Sequence, residues 1–230
     1  MPEDVYGQAL LDYHNGTFEP PLLIHNNYGE PEEMPVEVFF REPDDLSDME
    51  NYAIELCDGV VLDVGAGAGV HTLMLQDKLH TVALDSSKKA CKVMSQRGVR
   101  NIVHSDLLKY RPDRKYDTIL MLMNGTGILG TLRAFKNFLT FARTLLTENG
   151  RIIIDSSDIE YLYEEGEYPD YYYGQVEYQF EYKQEQGELF KWLYIDQDTL
   201  QRVAAEVGWA TYVVFEGEED EYLAVLQPFS

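Results

Sequence analysis

Val60-Val61-Leu62-Asp63-Val64-Gly65-Ala66-Gly67-Ala68-Gly69-Val70-His71 constrains this chain more than any other stretch. Its apolar start does not alternate, as expected of a parallel strand buried on both faces. Glycines then occupy every second position, and His71–Gln76 continues as a short helical pattern. Strand, glycine turn and helix together bring backbone N–H groups close to a ligand, because a Cβ in the turn would crowd it. Thr81-Val82-Ala83-Leu84-Asp85 reads as a second short strand ending in a carboxylate.

Asp85 follows Gly65 by 20 residues, the spacing at which a nucleotide-binding βαβ unit sets an acid on a ribose. NAD and S-adenosylmethionine both satisfy that geometry. A tight turn in a ligand-free α/β domain is the plain alternative, and Asp85 weighs against it.

At 230 residues with 45% hydrophobic content, the chain can bury one substantial core, so a single domain over residues 1–230 is expected. No run approaches the roughly 18 apolar residues of a membrane span. Met1-Pro2-Glu3-Asp4 carries neither a basic region nor an apolar core after it, so no signal peptide and no membrane partner are expected. Two cysteines, Cys57 and Cys91, suit reduced thiols in a cytoplasmic protein.

The formal charge of −23 is unevenly spread. Residues 1–59 hold 15 acids and one base, Arg41; residues 60–155 hold 8 acids and 14 bases; residues 156–230 hold 18 acids and 3 bases. Such a surface repels a phosphate backbone, so no nucleic-acid partner is expected. Monomer and homodimer both remain open.

Residues 1–45 form an aromatic arm, with a helix expected over Val5–Tyr13 and stopped by Asn15-Gly16. Val36–Arg41 reads as a short edge strand. Tyr6, Tyr13, His25, Phe39 and Phe40 make the arm too aromatic for a free tail, so it should pack over the main domain. A βα rhythm then fills 46–155. It runs through a helix at Leu46–Leu56, the two strands above, a helix at Lys88–Arg97 capped by Ser86-Ser87, and strands at Val99–Ser105, Thr118–Met123 and Arg151–Asp155. Between the last two lies a helix at 131–146, closed by Glu148-Asn149-Gly150.

Residues 156–195 are an acidic, tyrosine-rich insertion with a hairpin, Gln175–Tyr182 and Glu188–Ile195, across Gln184-Glu185-Gln186-Gly187. Residues 196–230 give a helix capped by Asp196 or Asp198, then strands Trp209–Phe215 and Glu221–Gln227 around the acidic turn 216–220.

A dehydrogenase fingerprint usually spaces its glycines GxGxxG, whereas Gly65, Gly67 and Gly69 give GxGxG directly after Asp63-Val64. With this turn, the chain resembles a class I S-adenosylmethionine-dependent methyltransferase. Tyr116–Leu120 and Met123-Asn124-Gly125 are similar to the fourth strand and its end; Leu145–Ile153 is similar to the fifth. Phe39-Phe40-Arg41, Leu122–Gly127, Asp155–Asp158, Tyr172-Tyr173-Gly174 and Trp192–Asp196 extend the resemblance to a bacterial subfamily with no assigned acceptor. It implies a Rossmann-like α/β fold, with a mostly parallel seven-stranded sheet of order 3-2-1-4-5-7-6.

The resemblance also implies S-adenosyl-L-methionine as cofactor, with Asp63, Val64, Gly65, Ala66, Gly67 and Gly69 beside its methionine part. Asp85 and Ser86 would take the ribose, and Asp106 with Leu107 the adenine. Asn124 would sit where cofactor and acceptor meet. For Asp106, capping the next segment is the competing role, and for Asp63, holding the turn. A contact from Arg41 to the cofactor carboxylate or to an acidic acceptor competes with a surface salt bridge.

Candidate catalytic residues are His25, Tyr13 and Asn124. His71 and His104 read more plainly as structural histidines. No metal site is expected: HxH and CxxC spacings do not occur, and Asp155 with Asp158 lack an evident third ligand for Mg²⁺. The expected activity is methyl transfer to a small-molecule acceptor, leaving S-adenosylhomocysteine. Strand four is followed by Asn124-Gly125-Thr126, not the Asn/Asp-Pro-Pro-Tyr signature of base-modifying enzymes. The alternatives are a protein methyltransferase, a non-catalytic cofactor-binding partner of another enzyme, and a nicotinamide-dependent oxidoreductase.

Overall fold

The computed structural model of the chain describes residues 4–163, 168–218 and 220–229. The expected tyrosine-rich insertion and the acidic turn fall partly outside them, at Glu164–Glu167 and Glu219.

In chain order the elements are α1 (Val5–His14), β1 (Leu22–Asn26), β2 (Glu32–Glu33), α2 (Asp48–Leu56), β3 (Val60–Val64), α3 (Val70–Leu75), β4 (His80–Asp85), α4 (Lys88–Arg97) and β5 (Ile102–His104). They continue with β6 (Tyr116–Met121), α5 (Leu132–Leu145), β7 (Leu146–Ser157), β8 (Gln175–Tyr182), β9 (Glu185–Gln186), β10 (Phe190–Leu193), α6 (Gln197–Glu206), β11 (Trp209–Glu216) and β12 (Glu221–Pro228). The chain groups into two compact units, each discontinuous in sequence. The first holds residues 4–46, 63–110 and 177–190; the second holds 47–62, 111–163, 168–176, 191–218 and 220–229. The boundary falls within β3, between Leu62 and Asp63.

In the first unit β4 and β5 pair in parallel, Asp85 opposite His104. α4 starts at its N-cap Ser87, whose hydroxyl accepts from Ala90 N–H, and stops at left-handed Gly98, as expected. The arm packs against α4 and β8. Val5, Ala9 and Leu10 of α1 share a buried cluster with Leu22, Val36, Ala90, Val93 and Tyr182. β1 pairs antiparallel with β8, Ile24 opposite Phe180, and on its other side with β2.

The hairpin turns at Lys183 and Gln184, both with positive φ, earlier than expected. β9 returns against Glu181 and Tyr182. Val36–Phe39 is a 3₁₀ turn, not the expected edge strand. Pro35 (φ −70°) leads into it, Val36 turns into the buried cluster, and Phe39 with Phe40 packs on the same cluster, a helical spacing and not an alternating one.

In the second unit β6 and β7 run parallel, β12 pairs antiparallel with β7, and β11 with β12. α5 buries Phe135, Phe138, Leu139, Ala142 and Leu145 on one stripe. Glu148-Asn149-Gly150 does not close this helix. The helix ends at Leu145, and the triplet lies in a bulge of β7, since Tyr116 pairs with Leu146 but Thr118 with Arg151. β6 also stops two residues before the expected Met123. Met123 (φ 62°) and Asn124 (φ 55°) are both left-handed, which no strand accommodates. Asp196 is the N-cap of α6.

Among the described residues no helix is long and apolar enough to cross a membrane.

Candidate cofactor site

The glycine turn, Asp85 and the arm all belong to the first unit. Past the end of β3, the N–H groups of Gly65 and Ala66 both donate to the Leu84 carbonyl, at 2.8 and 3.2 Å. This fixes the turn against β4. Gly65 (φ 71°), Gly67 (φ 54°) and Gly69 (φ 86°) are left-handed, which is the reason for glycine at every second position. Two of them serve different ends. A Cβ on Gly69 would lie 2.8 Å from Val99 Cγ2 and 3.1 Å from Met94 Cγ, so that glycine permits close packing. A Cβ on Gly67 would meet the Tyr6 hydroxyl at 3.1 Å.

Asp85 ends β4 at 7% exposure. Its Oδ2 accepts from Gly67 N–H at 2.9 Å and its Oδ1 from Ser87 N–H at 2.7 Å. Burial pushes its carboxyl up to about 6, against the pull of the two N–H donors, and the charges of Asp4 and Asp63 add to the rise. Asp63 is buried at the end of β3, and its carboxylate accepts from the Thr72 hydroxyl in α3. It thereby bridges strand and helix across the turn. Burial raises its pKa, opposed by nearby His71 and by Thr72.

Of the other expected cofactor residues, Val64 is buried in β3 and Ala66 is half-buried against Ala83, Met94 and Val99. The Ser86 carbonyl lies 3.0 Å from His104 Nε2. Asp106 caps the 3₁₀ turn Leu107–Lys109: its Oδ1 accepts from Leu108 N–H at 2.8 Å, and Leu107 is buried. Arg41 Nε donates to the Val38 carbonyl at 2.8 Å.

His25 lies on β1 with Nε2 2.9 Å from Glu181 Oε2. Tyr13, in the last turn of α1, packs its ring on Phe18 and Phe40. Asn124 belongs to the second unit, where its Oδ1 accepts from the Ser157 hydroxyl at 3.0 Å. There Asp155 Oδ1 accepts from Gly125 N–H at 3.1 Å, and Asp158 Oδ1 from the Tyr173 hydroxyl at 2.7 Å. Among the described residues no cluster of three potential metal ligands occurs.

Three residues that sequence reasoning did not assign to the site stand at the turn. Arg97 donates to the carbonyls of Ala68 (2.8 Å) and Phe39 (3.3 Å) and lies over the Phe40 ring. It thus joins α4, the glycine turn and the arm. Asp4, the N-cap of α1, accepts from Gly7 N–H at 2.9 Å and from the Ser87 hydroxyl at 2.6 Å. Tyr6 is the third. The aspartate three residues before Gly7 signals a helix start, but nothing local places that helix on the loop after β4.

A model of the methyltransferase small domain matches residues 46–161. A crystal structure of a SAM-dependent methyltransferase from Bacteroides fragilis, in complex with S-adenosyl-L-homocysteine, is 36% identical. The similarity covers 99% of this chain and 95% of that one, with a TM-score of 0.92. The chain belongs to the S-adenosylmethionine-dependent methyltransferases. Its fold is Rossmann-like, with a mixed sheet.

More distant methyltransferases share the fold alone. The CcbJ methyltransferase from Streptomyces caelestis is 12% identical over 98% of each chain, with a TM-score of 0.66. The sugar N-methyltransferase KedS8 from Streptoalloteichus is 12% identical over 90% of this chain and 97% of that one, with a TM-score of 0.63. No curated protein matches the chain.

The residues present suit this methyltransferase's cofactor. Gly67 presents bare backbone on the side that the Tyr6 hydroxyl faces, and a carboxylate beside it can accept from ribose hydroxyls.

Proposed function

We propose that this enzyme transfers a methyl group from S-adenosyl-L-methionine to a small-molecule acceptor, leaving S-adenosylhomocysteine. The observation that carries the reading is the Gly67 N–H held by Asp85 at the glycine turn, in a chain so similar to a methyltransferase seen with that product. When bound, the cofactor supplies a methyl already activated on a sulfonium, so the protein's work is alignment. In this reading the backbone from Asp63 to Gly69 receives the methionine part, Asp85 and Ser86 the ribose, and Asp106 with Leu107 the adenine. Asn124 is taken as an acceptor-side group on the resemblance of its turn to the family's fourth-strand end. His25 and Tyr13 are the arm residues offered for acceptor contact.

A whole-chain domain of 1–230 with the sheet order 3-2-1-4-5-7-6 belongs to the same reading. The parallel pairs β4–β5 and β6–β7 and the antiparallel pairs β7–β12 and β12–β11 support it. A charge of −23 disfavours polyanionic acceptors and attracts cations, which makes amines the first acceptor class to try.

Calorimetric titration with S-adenosylhomocysteine and, separately, with NAD tests the cofactor assignment. Saturable binding of the first alone is expected; binding of NAD alone would overturn the reading. Release of S-adenosylhomocysteine from S-adenosylmethionine, followed across a panel of small amines and hydroxyl compounds against a protein substrate and an RNA, tests the acceptor class. Turnover confined to the macromolecules would overturn the small-molecule assignment.

A further inference from the structure

We propose that Tyr6, carried on the N-terminal helix, is a cofactor-binding residue whose hydroxyl donates a hydrogen bond to an oxygen of S-adenosylmethionine at the glycine turn. The inference rests on the cofactor reading above and adds to it a group from outside the βαβ unit.

The helix that carries Tyr6 is fixed at its start. Asp4 Oδ1 caps Gly7 N–H, its Oδ2 takes the Ser87 hydroxyl, and Lys89 Nζ donates to the Asp4 carbonyl at 3.3 Å. Gly7 approaches so closely that an added Cβ would lie 2.3 Å from Ser87 Oγ. The helix is thus seated on Ser87 and Lys89, just after Asp85. The Tyr6 ring is held as firmly. It stacks on Phe180 with centroids 5.3 Å apart and meets the edge of Phe39 at the same distance. Two rings and a capped helix start set where the hydroxyl points, which is toward the Cβ-free side of Gly67.

A packing role would need only the ring. Among the described residues no hydrogen-bond partner of the Tyr6 hydroxyl occurs, so the hydroxyl adds nothing to this packing that phenylalanine would not. Burial first, then the charges of Asp85 and Asp4, raise its pKa well above the ordinary tyrosine value. It therefore stays protonated at any working pH and acts as a donor. What it lacks is an acceptor on the ligand side of the turn, and the cofactor's ribose and carboxylate oxygens are of that kind.

Tyr6→Phe keeps both ring contacts and removes only the hydroxyl. Calorimetry with S-adenosylhomocysteine should show affinity lowered about tenfold, while thermal unfolding of the ligand-free variant occurs at the same temperature or higher. The same titration with 5′-methylthioadenosine, which keeps the ribose and lacks the amino-acid carboxylate, locates the contact. An equal loss assigns it to the ribose, and a loss confined to S-adenosylhomocysteine assigns it to the carboxylate. Wild-type affinity in Tyr6→Phe, with the wild type binding normally, would overturn this inference and leave the cofactor reading intact. Failure of the wild type to bind S-adenosylhomocysteine would overturn both.

Discussion

The Gly67 N–H donates to Asp85 Oδ2 at 2.9 Å, so the glycine turn and the acid ending β4 hold one another in place. The contact also makes the site sensitive to protonation. With the Asp85 carboxyl near 6 when folded and near 4 when unfolded, the folded state keeps a proton between these values that the unfolded state has lost. The contribution of Asp85 to stability therefore declines as pH rises from about 4 to about 6, by roughly 3 kcal/mol in all. In its proposed ribose role Asp85 gives ligand binding the opposite pH dependence, because hydroxyls would donate to the ionised form.

Affinity for S-adenosylhomocysteine should accordingly fall as pH drops through 6, approaching tenfold per unit below it. Asp85→Asn should bind at least tenfold more weakly at pH 7.5 and show a flat profile between pH 5 and 7. Calorimetry across that range checks both statements, and a flat wild-type profile would refute the assignment of Asp85.

Gly69→Ala should act on the fold and not on the ligand. Its φ of 86° disfavours any side chain, and the new Cβ would press on Val99 and Met94 between the turn and α4. Left-handed strain and overpacking together predict a loss of about 2–4 kcal/mol. Gly67→Ala faces only the Tyr6 hydroxyl at 3.1 Å and the Phe39 ring edge at 4.0 Å, beyond its own turn's backbone. Its stability cost should be nearer 1–2 kcal/mol, from the left-handed backbone. Urea unfolding of the two variants side by side, without ligand, checks the order, and equal midpoints would contradict it.

What the sequence made legible follows from where information is local. Buried parallel strands announce themselves by unbroken apolar runs, so β3, β4 and β6 were readable to within about two residues. Ser87, Gly98 and Asp196 marked helix ends because capping is a short-range bond. Pairing across long separations left no such trace: nothing local in Leu22–Asn26 says that it pairs with β8, more than 150 residues later. Val36–Phe39 misled because an apolar residue at every second position can equally present 36, 39 and 40 on one helical side. The glycine turn and Asp85 were legible as a candidate site. Tyr6, Asp4 and Arg97 were not, since each matters only through the docking of α1 and α4 around that turn.

Gly127 offers a last test, in the second unit. It lies in the 3₁₀ turn Gly125–Leu129 after the left-handed Met123-Asn124 pair, and a Cβ there would fall 1.8 Å from a ring carbon of Trp192. The indole cannot slide away freely. Next to it in sequence, the Leu193 carbonyl accepts from the Thr126 hydroxyl at 2.8 Å, and Thr126 in turn lies 3.2 Å from the Ser156 hydroxyl. Gly127→Ala must therefore either expel the indole or break these bonds, at a cost of about 3 kcal/mol or more. The chain's other tryptophan, Trp209, is 1% exposed, so in a Trp209→Phe background Trp192 alone reports. Gly127→Ala in that background should shift the emission to longer wavelength and lower the urea midpoint, whereas unchanged emission and midpoint would show that the indole does not rest on this glycine.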